Sequence, residues 1–120
     1  ALAVAASLAE GRSVFADLGE LRIKESDRIA SLVRELARAG VGITQAPDGF
    51  TIEGSGGRAL FGGRVDPDHD HRIAMAGAVL GLRAGEETVV PAAEIATSFP
   101  SFADTLRALG AVIDSETGDR

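Results

Sequence analysis

The sequence contains no cysteine, and this absence excludes disulfide bonds, thiol chemistry and cysteine-ligated zinc. It also has no tryptophan, no tyrosine and only 5 phenylalanines, so a core must be built from Ala, Leu, Val and Ile. No apolar run is long enough to span a bilayer, and the start lacks a charged segment followed by an apolar one. These absences predict a soluble cytoplasmic protein.

Positive charge is also scarce. The 120 residues include 12 Lys and Arg against 18 Asp and Glu, which gives a net charge of −6. This balance argues against nucleic acid as the main partner. It does not exclude an anionic substrate, because a binding site needs positive charge only locally. The length fits one domain or a piece of a larger one.

Two helices are expected in the first third of the chain. Residues 1–9 form a run of small residues with no cap before it, so we expect the chain to be a fragment of something longer. A second helix begins at a cap provided by Ser26 or Glu25. Its apolar face is predicted at Ile29, Leu32, Val33, Leu36 and Ala37, and its wet face at Arg34, Glu35 and Arg38.

Short strands alternate with these helices. Strands are predicted at 12–16, 41–44 and 50–53, and Pro47-Asp48-Gly49 is a hairpin signal between the last two. The expected later elements are a loop at 54–63, a buried helix at about 70–83, a strand at 88–90, a loop at 91–100, a helix holding Phe102, Leu106 and Leu109, and a strand at 111–113.

The order of these elements repeats. Gly40-Val41-Gly42-Ile43 matches Gly110-Ala111-Val112-Ile113 at a period of roughly seventy residues, which is longer than the periods of solenoid repeats. We therefore expect a mixed α/β fold of the α+β type, in which duplicated βαβαββ-like units pack a sheet against helices.

The segment Leu21–Arg28, "LRIKESDR", has five charged residues at the entry to a helix. Free N–H groups at a helix start, together with Lys24 and Arg28, could bind a phosphate or carboxylate. Glu25 lies between these cations and could transfer a proton. The same residues are also consistent with a solvated, well-capped helix start whose ion pairs contribute little.

A second polar segment, "DPDHDHRIAMA" at 66–76, leads into the buried helix. Asp68 or Asp70 could cap that helix, and Arg72 in its first turn needs an anion, either Asp70 or a ligand. His71 could act as an acid–base or hydrogen-bonding group. The Asp and His residues from 66 to 71 also have the chemistry of metal ligands, but neighbouring side chains diverge, and we expect no metal.

A third segment, Thr97 to Phe102, begins with two hydroxyl side chains. Thr97 and Ser98 could donate to an oxyanion or cap the last helix, with Pro100 near its first turn. The run Gly54-Ser55-Gly56-Gly57 lacks the lysine of a phosphate-binding loop, so we expect a plain loop there.

Three of these segments, in order, resemble one family: "LRIKESDRI" at 21–29, "DHRIAMA" at 70–76 and "TSFPSF" at 97–102. They look like the C-terminal part of the 5-enolpyruvylshikimate-3-phosphate synthases. The resemblance implies a two-domain enzyme whose domains are inside-out α/β barrels, with the active site between them. The chain would be a single fragment of one domain, with units at about 1–63 and 64–120.

The resemblance also implies a reaction and its residues. The enolpyruvyl group of phosphoenolpyruvate would pass to shikimate 3-phosphate, with no cofactor and no metal. Lys24, Glu25 and His71 would be catalytic, Lys24 also contacting shikimate 3-phosphate. Arg28 and Arg72 would bind phosphoenolpyruvate.

The chain departs from the family pattern at one motif. Many members have a lysine just ahead of the Phe-Pro, where this chain has Ala96, Thr97 and Ser98. With the N-terminal domain missing, we expect the chain alone to be inactive. The alternative is a stand-alone anion-binding or interaction module.

Overall fold

The computed structural model describes residues 1–115, and its first half is a three-stranded sheet with helices. The strand order is β1-β3-β2, with β3 antiparallel to both neighbours. β1 and β2 therefore run parallel, joined through α2, and β3 fills the space between them. The elements are α1 (Leu2–Leu8), β1 (Arg12–Phe15), a 3₁₀ turn (Gly19–Ile23), α2 (Arg28–Arg38), β2 (Gly42–Ala46) and β3 (Gly49–Glu53).

The second half contains a smaller βαβ arrangement. Its two short strands, β4 and β5, pair in parallel with α3 between them, and α4 packs against α3. The elements are β4 (Gly63–Arg64), α3 (His71–Gly81), β5 (Thr88–Val89), α4 (Ala93–Ser98) and α5 (Phe102–Ala108). Helices and both kinds of strand pairing confirm the predicted mixed α/β class. The division into units at 1–63 and 64–120 stays a prediction, and 116–120 lie outside the described residues.

The core is aliphatic, as the shortage of aromatic residues requires. It lies between the sheet and the helices, around Ile29 and Leu36 of α2, Ile52 of β3 and Leu80 of α3. One stacked ring pair, Phe15 with Phe50 at 4.8 Å between centroids, joins β1 to β3. Apolar burial of this kind supplies most of the free energy of folding.

Helix α3 lies close to its neighbours, as its small residues predict. A Cβ added at Gly77 would lie 2.7 Å from Val65, and one added at Gly81 would lie 2.8 Å from Thr88. These glycines let β4 and β5 lie directly against the helix. The helix spans 71–81, close to the predicted 70–83, and Asp70 is its cap.

Helix α2 corrects two predictions. Its cap is Asp27 rather than Ser26 or Glu25, because the Asp27 side chain is the one that accepts a bond from the Ala30 N–H. Glu35 was predicted on the wet face but is buried, whereas Ala37 is exposed.

The Glu35 carboxylate is buried because arginine side chains cover it. It accepts from Arg38 at 3.1 Å and lies 3.4 Å from Arg34. Arg38 also donates to the carbonyl oxygen of Gly62 at 2.8 Å, which ties this face of α2 to the segment before β4. Helical periodicity alone could not show that another segment covers this face.

Two other predictions, a loop and a strand, are wrong, and a second predicted loop is confirmed for most of its length. The predicted loop at 91–100 contains α4, whose Ile95 is buried. The segment 54–63 is a loop, as predicted, except that Leu60 bridges to Ala84 and Gly63 begins β4. The predicted strand at 111–113 is not one, since it has no ladder partner among the described residues. No helix in residues 1–115 combines the length and apolarity needed to cross a membrane.

Candidate active site

The charged segment that precedes α2 is held on both sides by Arg22 and Asp27. The Arg22 guanidinium donates to Asp27 at 2.8 Å and to the backbone carbonyls of Ala46 and Pro47 at 2.7 and 2.6 Å. These bonds fix the backbone on each side of Lys24 and Glu25 against the β2–β3 turn. Sequence reasoning missed Arg22, because its carbonyl partners come from a hairpin more than twenty residues away.

Arg28, at the first position of α2, is the buried cation of the site. Its Nε donates to Asp70 Oδ2 at 2.8 Å, and its Nη2 lies 3.3 Å from Asp70 Oδ1. Nη2 also donates to the carboxylate of Glu25, which is half exposed. The structure thus brings Glu25 and Arg28 together, as predicted, and adds Asp70 as their common neighbour.

All acceptor positions of the Asp70 carboxylate are occupied. Oδ2 accepts from Arg28 and from the Ser26 hydroxyl at 2.7 Å, while Oδ1 accepts from Arg28 and from the Arg72 N–H at 3.0 Å. A carboxylate offers about four lone-pair positions, so this group is saturated. Burial raises the pKa of Asp70, but the bonds from Arg28, Ser26 and the Arg72 N–H together bring it below its ordinary value of 3.8. Asp70 is therefore an anion at neutral pH.

The sequence offered Asp70 as the anion for Arg72, and the structure corrects this. The Asp70 side chain pairs with Arg28 instead and accepts only the backbone N–H of Arg72. The Arg28 and Asp70 positions are 42 residues apart in the chain. Their proximity depends on α2 and α3 beginning at the same edge of the fold, for which the local sequence gives no signal.

His71 stands beside this cluster. One imidazole nitrogen, one Glu25 oxygen and one Asp70 oxygen all lie within 4.8 Å of one another. Such a set could hold a metal ion in principle. Because the Asp70 oxygens already accept four hydrogen bonds, however, an ion would have to displace Arg28, and the donor set does not favour this.

Arg72 lies apart from the cluster. Its side chain is exposed and lines a groove of about 480 Å³ between α1 and α3, where its neighbours are Val4, Leu8 and Met75. Within residues 1–115, the guanidinium donates to no protein acceptor. Arg72, which was predicted at the interior edge of the fold, is therefore accessible to an anion that binds in this groove.

Lys24 pairs with Glu20, although its position in the sequence suggests Glu25. Its Nζ lies 3.2 Å from Glu20, one helical turn earlier, rather than against Glu25. Both side chains are exposed, so this pair is weak and leaves Lys24 able to reorient toward a ligand.

The acidic turn before α3 is shaped by local contacts. The Asp68 N–H donates to Asp66 at 3.0 Å, and Asp68 and His69 both have positive φ angles, of 52° and 58°. His69 is 94% exposed and lies 3.5 Å from Glu94. These residues form a tight turn that immediately precedes Asp70, the cap of α3.

The hydroxyls at 97 and 98 lie at the end of α4. Thr97 donates to the carbonyl oxygen of Glu94 at 2.9 Å, within its own helix. The cap position of α5 is Ser101, without a side-chain cap bond. Neither Thr97 nor Ser98 caps the last helix, and within residues 1–115 neither side chain hydrogen-bonds to the cluster around Asp70.

Comparison with known proteins gives a consistent result. The family model described as EPSP synthase (3-phosphoshikimate 1-carboxyvinyltransferase) matches residues 1–106. The 3-phosphoshikimate 1-carboxyvinyltransferase of Methylobacterium radiotolerans is 54% identical over 110 residues, which are 91% of this chain and 24% of that protein. The one of Phenylobacterium zucineum is 49% identical over 111 residues, which are 92% and 25% of the two chains.

A solved structure shares the fold. The EPSP synthase from Acinetobacter baumannii superposes with a TM-score of 0.82 at 39% identity, over 89% of this chain and 25% of that one. The mixed α/β arrangement is therefore the one found in that enzyme. The chain spans about a quarter of the length of the relatives that it matches.

Proposed function

The chain belongs to the EPSP synthase family, and we propose that it supplies part of the site at which the enolpyruvyl group of phosphoenolpyruvate passes to shikimate 3-phosphate. The observation that carries this proposal is the cluster of Glu25, Arg28 and His71 around Asp70, at the starts of two helices. A proton-transferring carboxylate beside a buried cation is what an anionic substrate with a reacting methylene requires.

Each residue has a separate role in this proposal. Arg28 and Arg72 bind the carboxylate and phosphate of phosphoenolpyruvate, because guanidinium groups pair well with both. Glu25 handles the proton at the methylene carbon, and His71 beside it supports that transfer. Lys24 contacts shikimate 3-phosphate and assists catalysis.

The complete site needs more polypeptide than this chain. The relatives are about four times as long, so we expect the remaining contacts to come from the N-terminal domain of the same protein and the isolated chain to be inactive. Closure of a second domain over Arg72 would exclude water and strengthen its attraction for an anion. The cytoplasmic location expected from the sequence, and the absence of nucleic-acid and membrane partners, belong to the same proposal.

A chimaera tests the activity directly. Residues 1–110 replace the matching quarter of the Methylobacterium radiotolerans enzyme, and phosphate release from phosphoenolpyruvate is measured with shikimate 3-phosphate present. We expect turnover by the chimaera and none by the isolated chain. A folded chimaera that binds both ligands without turnover would favour the anion-binding module instead.

Variants of the chimaera test the roles. Glu25→Gln is expected to lower kcat by about 10²- to 10⁴-fold, the usual contribution of a general acid–base group. Glu53→Gln is the matched control, because Glu53 is an exposed acid paired with Arg12 on the sheet. Normal turnover in Glu25→Gln would remove the proposed proton transfer.

A second pair of variants tests the cation in the groove. Arg72→Ala is expected to raise the KM for phosphoenolpyruvate by about tenfold or more, since it removes a charge-assisted contact. Arg12→Ala is the control, because Arg12 is an exposed arginine that pairs with Glu53 on the sheet, and it should leave that KM unchanged. An unchanged KM in folded Arg72→Ala would contradict the binding role.

A further inference from the structure

We propose that Asp70 is a positioning residue, which fixes the Arg28 guanidinium so that one of its nitrogens is presented to phosphoenolpyruvate. This inference rests on the function proposed above. The Asp70 side chain is 0% exposed, so it cannot touch a substrate itself. Any effect on the reaction must pass through the groups that it holds.

The pairing occupies one edge of the guanidinium. Asp70 accepts from Nε at 2.8 Å and lies 3.3 Å from Nη2, which Glu25 also contacts. Nη1 donates to no acceptor within residues 1–115, and the Arg28 side chain keeps 11% of its surface exposed, which leaves this nitrogen for a ligand. A planar guanidinium held by two bonds on one edge cannot rotate, and Nη1 therefore has a fixed direction.

The same carboxylate sets the position of two other parts of the site. The Ser26 hydroxyl donates to it at 2.7 Å, which ties down the backbone next to Glu25. The Arg72 N–H donates to it at 3.0 Å, which fixes the first turn of α3 and thus the origins of the His71 and Arg72 side chains. One buried anion therefore determines how the two helix starts face each other.

Asp70→Asn in the chimaera is the main test. The change keeps the shape of the side chain and an oxygen for the cap, but it removes the charge that holds Arg28. We expect the KM for phosphoenolpyruvate to rise about tenfold while that for shikimate 3-phosphate changes less than about twofold, the difference between an ionic and a neutral bond at one subsite. Equal changes in both KM values would overturn the proposal.

A double-mutant cycle with Arg28→Lys tests whether Asp70 acts through Arg28. If it does, the double variant should have a KM for phosphoenolpyruvate within about twofold of Arg28→Lys alone, because a lysine has no planar edge that Asp70 could hold in one orientation. Independent effects would multiply instead, and multiplication would contradict the inference.

Glu35→Gln is the matched control. Glu35 is another buried carboxylate on α2, held by Arg34 and Arg38, and it lies seven residues beyond Arg28, or about 10 Å along the helix. It should lower stability without changing the KM for phosphoenolpyruvate. If it raised that KM as much as Asp70→Asn does, the effect would be a general loosening of α2, and the proposal would be wrong.

Two outcomes separate this inference from the function on which it rests. A chimaera without turnover would refute the proposed function. Turnover with a raised KM in Arg28→Lys but a normal KM in Asp70→Asn would refute the positioning role alone. If Asp70→Asn does not fold, Ser26→Ala replaces it. Removing this one donor to Asp70 should raise the same KM about twofold, and an unchanged value would overturn the proposal.

Discussion

The starts of α2 and α3 use the same residue type in two different surroundings. Asp27 caps α2 by accepting from the Ala30 N–H at 3.1 Å, and Asp70 caps α3 by accepting from the Arg72 N–H at 3.0 Å. Each carboxylate also pairs with an arginine at 2.8 Å. The Asp27 side chain is 38% exposed, however, whereas that of Asp70 is 0% exposed.

This difference in burial separates a cap that water can reach from one that is fully enclosed. Water can solvate Asp27 and Arg22 if their pair breaks, so the pair only ties a loop to the hairpin. Asp70 is shielded from water, so its charge would be buried without an ionic partner if Arg28 moved away.

The largest effect should follow from removing the buried carboxylate. Asp70→Ala leaves the buried Arg28 with only the half-exposed Glu25 as an ionic partner and is expected to lower the free energy of unfolding by about 3–5 kcal/mol. Urea unfolding of the chain, followed by circular dichroism, measures this, with Glu53→Ala as the exposed control. A loss below about 1 kcal/mol would mean that burial does not distinguish the two caps.

Low pH should remove the contribution of Asp70 to the free energy of unfolding. Its pKa in the folded chain lies below 3.8, so its stabilisation is complete above that value and disappears as the pH falls through the folded pKa. The difference in urea midpoint between the wild type and Asp70→Asn should therefore be constant from neutral pH to about pH 5 and shrink below it. A difference that does not depend on pH would show that the charge is unimportant.

The exposed cap should contribute less. Burial raises the pKa of Asp27, but bonds from the Ala30 N–H and from Arg22 hold it below its ordinary value, so it too is ionised at neutral pH. Asp27→Ala is expected to cost about 1 kcal/mol of unfolding free energy, the usual effect of losing a helix cap. Urea unfolding under the same conditions checks this. A loss as large as that of Asp70→Ala would contradict the comparison.

The smallest effect is expected at a surface pair in the same segment. Glu20→Gln breaks the contact with Lys24, in which both side chains are exposed, and should change the unfolding free energy by less than about 0.5 kcal/mol. The same urea titration, repeated in high salt, provides the check. A change above about 1 kcal/mol would indicate that the segment is more tightly coupled than its exposure suggests.

Much of the local structure could be predicted because local signals decide it. The hairpin around Pro47-Asp48-Gly49 was expected at 41–44 and 50–53 and is found at 42–46 and 49–53, since turn chemistry fixes its register. Helix α3 was expected from its apolar, small-residue sequence. By contrast, α4 has only one buried residue, Ile95, and a helix of 6 residues is stable only because it packs on α3.

The sequence by itself determined the aliphatic core, the main helices and the family, since composition, periodicity and three ordered motifs do not depend on distant contacts. It also placed Glu25 and Arg28 in one segment, and the structure shows their ion pair. Only the tertiary structure decided that Asp70 pairs with Arg28 rather than Arg72, and that Glu35 is covered while Arg72 is open. The physical reason is that burial and ion pairing are set by segments that meet in space, as Arg28 and Asp70 do across 42 residues of chain.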